Sequence, residues 1–410
     1  MKLDIEFVRA QFPAFSEPTL KGWAFFENAG GSYPCKQFIA RLTDFYMKNK
    51  VQVNYPYPAS LLAGKLMEAS YKRMADYLNV DESEIHFGPS TSQNIYVLAN
   101  AMRSMWNDDD EIIVSCQDHE ANAGAWRRLE KQGINVIEWH VDANSGLLDI
   151  ERLESLFSKR TKMVAFPHCS NVIGHINPVK EISALAHQYN ALSVVDGVGY
   201  APHGFPDLED LETDIYLFSL YKTFGPHLGL MYVKKDLILK KENQSHYFKE
   251  GITRSMLTPA GPDHAQIASA SGILDYFDAV YSHHFDAKVS PSDRNIALND
   301  LFRYHENTIL EKLLNFLKSR KDIKIVGPEN IKNRLPIVSI VPLKKDLKKV
   351  YASLTKHKLM LGMGHFYAVR PLIDMDIPLQ PGVLRISFVH YTSMKDIDQL
   401  IEGLKLALNH

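Results

Sequence analysis

The feature that most restricts what this chain can fold into is an alternation of short apolar runs with helical stretches, each run ending on polar side chains. Glu111–Ser115 reads as a buried strand, and residues 121–131 as a helix that stops near Gly133. Residues 163–166 are the next strand, closed by Pro167. Asn177-Pro178 then opens a helix with a cap residue and a proline at its first position, and that helix runs to about Tyr189. Residues 192–195 form a strand ending in Asp196, and residues 215–218 one ending in Ser219. Residues 225–233 read as a turn and a following strand. Strands that alternate with helices in this way imply an α/β fold, with a mostly parallel sheet wrapped by helices.

The pattern changes after residue 285. Residues 292–318 are a long helical stretch, charged on one side and apolar on the other. Strand-like 335–341, helical 347–358 and strand-like 384–389 follow. Ser393-Met394-Lys395-Asp396 is a capping-box pattern that opens the last helix. At 410 residues the chain exceeds one small core. The expected division is a large domain over 21–284 and a smaller α+β domain over 285–410, with segment 1–20 packing on the smaller one.

Composition narrows the partners. A formal charge of -2 lacks the basic field that nucleic acid or an acidic membrane requires. No apolar run reaches membrane-spanning length, and the acidic, amphipathic start is unlike a signal peptide. Cys35, Cys116 and Cys169 are far apart and form no C-x-x-C. That fits a reducing compartment, so the expected location is the cytoplasm. No histidine pair sits in a metal-ligand frame with a nearby cysteine or carboxylate, so no metal is expected. His283-His284 reads as solvated loop.

In open α/β sheets ligands bind at the carboxyl ends of the strands. Those ends carry Asp118-His119, then His168, Ser170 and Asn171, then Asp196, then Ser219, Tyr221 and Lys222. Ser90-Thr91-Ser92 precede a helix that starts near Gln93. Each has an ordinary reading when taken singly: Lys222 as a solvated loop lysine, Asp196 as a turn residue beside Gly197, Ser90-Thr91-Ser92 as a plain helix cap. Together they supply what pyridoxal 5′-phosphate (PLP) requires. Its aldehyde needs an amine for a Schiff base, and its ring nitrogen needs an acid. Its ring face needs a flat partner, its 3′-oxygen a donor, and its phosphate a helix N-terminus.

Five motifs in order carry a family resemblance: Phe26-Glu27-Asn28-Ala29-Gly30-Gly31, Asp118-His119-Glu120-Ala121-Asn122, His168-Cys169-Ser170-Asn171-Val172-Ile173-Gly174, Val194-Val195-Asp196-Gly197 and Ser219-Leu220-Tyr221-Lys222. From about Phe25 to the C-terminus the chain resembles the class V (cysteine desulfurase-like) PLP enzymes of the aspartate-aminotransferase, type I fold. The resemblance implies that Lys222 carries PLP and shuttles the Cα proton, that Asp196 pairs with the ring nitrogen, and that His119 stacks on the ring. It implies that Asn171 meets the 3′-oxygen, and that Thr91, Ser92, Ser219 and Tyr221 hold the phosphate. Arg385 would grip a substrate α-carboxylate, with Asn28 and His365 also facing a small amino-acid substrate. It further implies a homodimer with sites near the subunit interface.

The departures are as informative. Tyr367, in Gly364-His365-Phe366-Tyr367-Ala368, stands where the family's persulfide-forming cysteine would be, and no cysteine follows Cys169. Gly199 replaces a glutamine that helps hold the 3′-oxygen, Tyr221 a phosphate-binding histidine, and Ala260-Gly261-Pro262 a Gly-Thr-Pro that reaches the partner subunit. The chain is similar to a desulfurase-like subgroup whose relatives include C–S lyases. The expected reaction is β-elimination from a cysteine derivative, giving pyruvate and ammonia, with Tyr367 or His365 as a proton donor to the leaving group. The alternatives are transamination on the same cofactor and a non-catalytic PLP-fold binding protein.

Overall fold

The computed structural model describes residues 2–409. Strands β1 (Ile85–Gly88), β2 (Glu111–Ser115), β3 (Asn135–Trp139), β4 (Thr161–Pro167), β5 (Leu192–Asp196), β6 (Ile215–Ser219) and β7 (Gly229–Val233) form one sheet. Their order across it is β1-β7-β6-β5-β4-β2-β3. β3 through β6 pair in parallel by way of β2, β4 and β5, and only β7 runs against its two neighbours. Every residue of β2, β6 and β7 is buried, as central strands covered by helices on both faces must be.

The helix read over 121–131 is two pieces. Glu120–Arg127 is α-helical and Arg128–Gln132 tightens to a 3₁₀ turn that ends on Gly133 at φ +89°. Asn177 does not cap the next helix, Val179–Gln188. Its amide instead donates to Gln117 Oε1 at 2.7 Å and to the Pro167 carbonyl at 2.8 Å, tying together the ends of β2 and β4.

A second sheet contains β8 (Ile323–Val326), β9 (Ile337–Pro342), β10 (Gly362–Gly364) and β11 (Val383–Ser387), antiparallel in the order β10-β11-β9-β8. Helices Leu347–Lys356 and Met394–Asn409 cover it. The expected capping box forms: Ser393 N–H donates to Asp396 Oδ2 at 2.8 Å, and Asp396 N–H to Ser393 Oγ at 3.2 Å. Helix Pro291–Lys318 serves both bodies. Leu298 and Phe302 enter the larger core, while Ile309 and Leu313 enter the smaller one.

Two further expectations need correction. Segment 1–20 was expected on the smaller domain, yet Leu3, Val8 and Phe12 belong to the larger core. Phe12 packs edge-on against Phe224, Tyr276 and Tyr391, an aromatic cluster that holds the segment on the larger core. The segment also reaches the last helix through the Arg9–Asp396 ion pair at 2.6 Å. His283-His284 lie in the last turn of helix Gly272–His284, and not in a loop. His283 stacks on Phe7 at 3.8 Å and pairs with Asp4 at 2.9 Å. Among the described residues no helix is long and apolar enough to cross a membrane.

Candidate active site

A cavity of about 280 Å³ opens at the carboxyl ends of β2, β4, β5 and β6. Residues from six separate stretches meet there because parallel strands deliver their ends to one edge. Thr91, Ser92, His119, Asn171, Asp196, Ser219, Tyr221 and Lys222 all line it, as the sequence reading expects.

Lys222 ends the short 3₁₀ turn that follows β6, and its Nζ stands 5.7 Å from the centre of the Tyr221 ring. Burial, and then the Arg385 cation, push its pKa down to about 8. Such an amine is uncharged often enough near neutrality to attack an aldehyde.

Asp196 closes β5 and is buried. Burial raises its pKa to about 6, against the opposing pull of the Val198 N–H at 2.8 Å and of Lys222. Asp118 is also buried, and burial together with the Asp196 charge holds its carboxyl well above the ordinary range. Its oxygens accept from His119 N–H at 2.8 Å and Asn122 Nδ2 at 2.6 Å. A desolvated carboxylate with a protonated neighbour suits a cationic ring nitrogen.

His119 caps helix Glu120–Arg127, with Nδ1 accepting from Ala121 N–H at 3.0 Å. Burial first, then the Lys222 and Arg385 cations, push its pKa down to about 3. The imidazole is therefore a neutral plate, fit for stacking and unfit to hold a proton at neutral pH.

Helix Thr91–Arg103 points its N-terminus into the cavity, with Ser90 Oγ accepting from Gln93 N–H at 3.2 Å. Thr91 Oγ1 and Ser219 Oγ are buried beside it without a hydrogen-bond partner in the protein. Buried hydroxyls in native proteins are paired, so an anion with acceptor oxygens fits between them. Asn171 departs from a simple reading. One amide N–H donates to the Phe366 carbonyl at 3.0 Å, leaving the other for a ring oxygen, while Oδ1 has no partner. A side chain at Gly199 would meet the Cys169 carbonyl at 2.4 Å, so no glutamine fits there. These groups fit PLP.

Tyr367 is exposed, with its ring 5.3 Å from that of His119. Its carbonyl accepts from Glu120 N–H at 2.8 Å, which docks the 364–368 loop on the cavity rim. Asn28 and His365 do not line the cavity. Asn28 is buried, with Oδ1 accepting from the Tyr391 hydroxyl and Nδ2 reaching the Ser387 carbonyl at 3.4 Å. That pairing places it at the join between the two bodies. His365 Nδ1 accepts from Tyr367 N–H at 3.1 Å, so it shapes its own loop. Arg385 is buried against Phe366 and Glu27 and does not line the cavity.

His227 lines the cavity and was missed by the sequence reading. It stacks on Tyr221 at 4.8 Å, and its Nδ1 lies 3.2 Å from the Pro89 carbonyl. It precedes β7, and because β7 is antiparallel its start, not its end, reaches this edge. Gly-Pro-His at the turn was the available signal.

Cys116, Glu138 and His140 also come within 4.8 Å of one another, which sequence spacing did not suggest. Glu138 is already paired with Arg127 and faces Arg370 at 3.8 Å, and His140 holds Asp374 at 2.9 Å. Two guanidinium groups there repel a cation, so the cluster is an ion-pair network.

The aminotransferase class-V family model matches residues 24–249 and 297–400. The chain belongs to the aminotransferase class-V family. This class-V chain is thus a PLP-dependent enzyme. It is 31% identical to the aminotransferase-like protein FGM3 of Gibberella zeae, over 98% of each chain. It is 29% identical to the cysteine desulfurase-like protein ustD of Aspergillus flavus, over 96% of this chain and 88% of that one. Its fold superimposes on the apo cysteine desulfurase of Thermococcus onnurineus with a TM-score of 0.86 at 23% identity, covering 100% of this chain and 99% of the other. The class-V match and that superposition establish the type I PLP-enzyme fold.

Proposed function

We propose that this enzyme is a lyase that eliminates a sulfur group from the β-carbon of a cysteine-derived amino acid. The observation that carries this proposal is the state of its thiols. Cys35, Cys116 and Cys169 are all buried, and burial pushes each thiol up to about 12. Persulfide transfer needs an accessible thiolate, whereas elimination needs none.

Bound PLP would supply an electron sink for the pair released when the substrate loses its Cα proton. Lys222 would hold the cofactor through its aldehyde carbon and, once the substrate amine displaces it, take that proton. A pKa of about 8 suits an amine that must serve as base near neutrality. Asp196 would keep the ring nitrogen protonated, and neutral His119 would cover the ring face. Thr91, Ser92, Ser219 and Tyr221 would hold the phosphate at the helix N-terminus. Asn171 would give its free amide N–H to the ring oxygen, and Arg385 would receive the substrate α-carboxylate. Tyr367, on the rim over His119, would protonate the departing sulfur. The released aminoacrylate takes up one water, so the products are pyruvate, ammonia and a thiol or related leaving group.

The enzyme is proposed to act as a cytoplasmic homodimer. Exposed Tyr46, Met47, Tyr55, Tyr57, Leu61 and Leu62 support the dimer, since side chains of this size cluster at interfaces. A second cavity of about 680 Å³, walled by Ala260-Gly261-Pro262, shares His227 with the first.

The test is pyruvate release from a panel of S-substituted cysteines by PLP-loaded protein, with Lys222→Ala as control. Pyruvate from wild type and none from the variant is expected. No pyruvate across the panel, or sulfur from cysteine bound to a protein thiol, overturns the proposal. Transamination is the second reading, favoured by the name of the Gibberella zeae relative. Turnover that depends on an added keto acid would establish it instead.

A further inference from the structure

The buried arginine at the back of the site already holds a carboxylate. Arg385 Nη2 donates to Glu27 Oε1 at 2.6 Å, and Nη1 donates to the Asn171 carbonyl at 3.2 Å. Its Nε is buried and has no partner. The Phe366 ring lies over the guanidinium, 3.8 Å from its carbon, and Arg385 does not line the cavity. Only one donor edge is therefore left incomplete, and the edge that two carboxylate oxygens would share is half taken by Glu27.

Glu27 is itself unfinished. Its second oxygen, Oε2, is buried and has no partner. A side chain at Gly362 would stand 2.4 Å from Oε2 and 2.6 Å from the Phe366 ring, so β10 leaves a slot of glycine width for this carboxylate. The Phe366 carbonyl is held by Asn171 at 3.0 Å, and Phe366 and Tyr367 both have positive φ, 50° and 57°. Glu27, Phe366 and the loop thus form one cap over Arg385.

We propose that Glu27 is a tethered competitor for Arg385, and that a substrate carboxylate binds only by displacing it. This rests on the reading that Arg385 receives the substrate α-carboxylate. Glu27 then sets how tightly carboxylates bind and leaves the later chemistry unchanged, because it touches neither Cα nor the leaving group. It raises the concentration of amino acid needed for half-saturation and selects against ligands whose only anchor is a lone carboxylate.

The test compares wild type with Glu27→Gln and Glu27→Asp, all loaded with PLP. L-alanine and L-alaninamide are titrated, and the absorbance of the bound cofactor is followed. Charge-assisted hydrogen bonds are the strong ones, so Glu27→Gln should tighten L-alanine on the order of tenfold and leave L-alaninamide unchanged. Glu27→Asp, too short to reach, should follow Gln. Unchanged or weaker L-alanine binding, or an equal gain for the amide, overturns the proposal. A second readout needs no cofactor: phenylglyoxal should modify Arg385 faster in Glu27→Gln than in wild type, as read by peptide mass. Equal rates also overturn it. A wild type that never binds PLP would refute the parent reading and leave the phenylglyoxal result to judge Glu27 alone.

Discussion

Replacing Asp196 by asparagine should have opposite effects on stability and on cofactor binding. The Asp196 carboxyl goes from an ordinary pKa of 3.8 to about 6 in the folded chain, first because burial disfavours its charge. That interval, at ~1.4 kcal/mol per tenfold, is about 3 kcal/mol. In the unfolded chain the group loses its proton near its ordinary value, while in the folded chain it keeps it longer. The folded state therefore binds more protons between pH 3.8 and about 6, and its stability falls as pH rises through that window. Above about 6 the full cost is present. Asparagine never ionises and can still accept the Val198 N–H. PLP-free Asp196→Asn should thus be more stable than wild type at pH 8 by up to about 3 kcal/mol, and at pH 5 by about half of that. Urea unfolding at both values measures this. The same variant should bind PLP more weakly at pH 8, because it cannot pair with a protonated ring nitrogen. A variant that is less stable at pH 8, or equally changed at both pH values, refutes the burial argument. Unaltered PLP affinity refutes the role in cofactor binding.

Three further outcomes follow from the geometry. Gly199→Gln should lose about 1–3 kcal/mol in urea unfolding, because its side chain must push aside the Cys169 carbonyl. A restored ring contact without that loss would contradict the packing. Cys169→Ala should leave pyruvate release within about twofold, since a buried thiol held up to about 12 carries no sulfur. Abolished turnover would reopen persulfide chemistry. Glu306→Ala should destabilise by about 1–3 kcal/mol, because it leaves buried His203 Nδ1 without its hydrogen-bond partner at 2.9 Å. A shift in the urea midpoint without a change in slope would show it, and an unmoved midpoint would count against the pairing.

The strand-end residues were legible because in a parallel sheet each strand delivers its last residue to the same edge. Asp118 and Asn171 follow β2 and β4, and Asp196 and Ser219 close β5 and β6, by that rule. His227 escaped it because β7 runs the other way, and sequence periodicity carries no strand direction. Asn177 was misjudged as a helix cap for a related reason. An asparagine looks the same whether its amide faces a ligand, a cap or a hydroxyl such as that of Tyr391. The first twenty residues followed the aromatic cluster around Phe12, whose other members lie hundreds of residues away.

What the sequence by itself determined was local and periodic: the alternation that builds the sheet, the order of the polar strand ends, and the absence of any cysteine after Cys169. What only the tertiary structure decided was which charges share one low-dielectric space. It placed Arg385 against Glu27, 358 residues apart in the chain, and Asp118 beside Asp196. It also set the burial that lowers the pKa values of Lys222 and His119. Periodicity is set by neighbours along the chain, whereas desolvation and charge pairing depend on distances that exist only once the chain has packed.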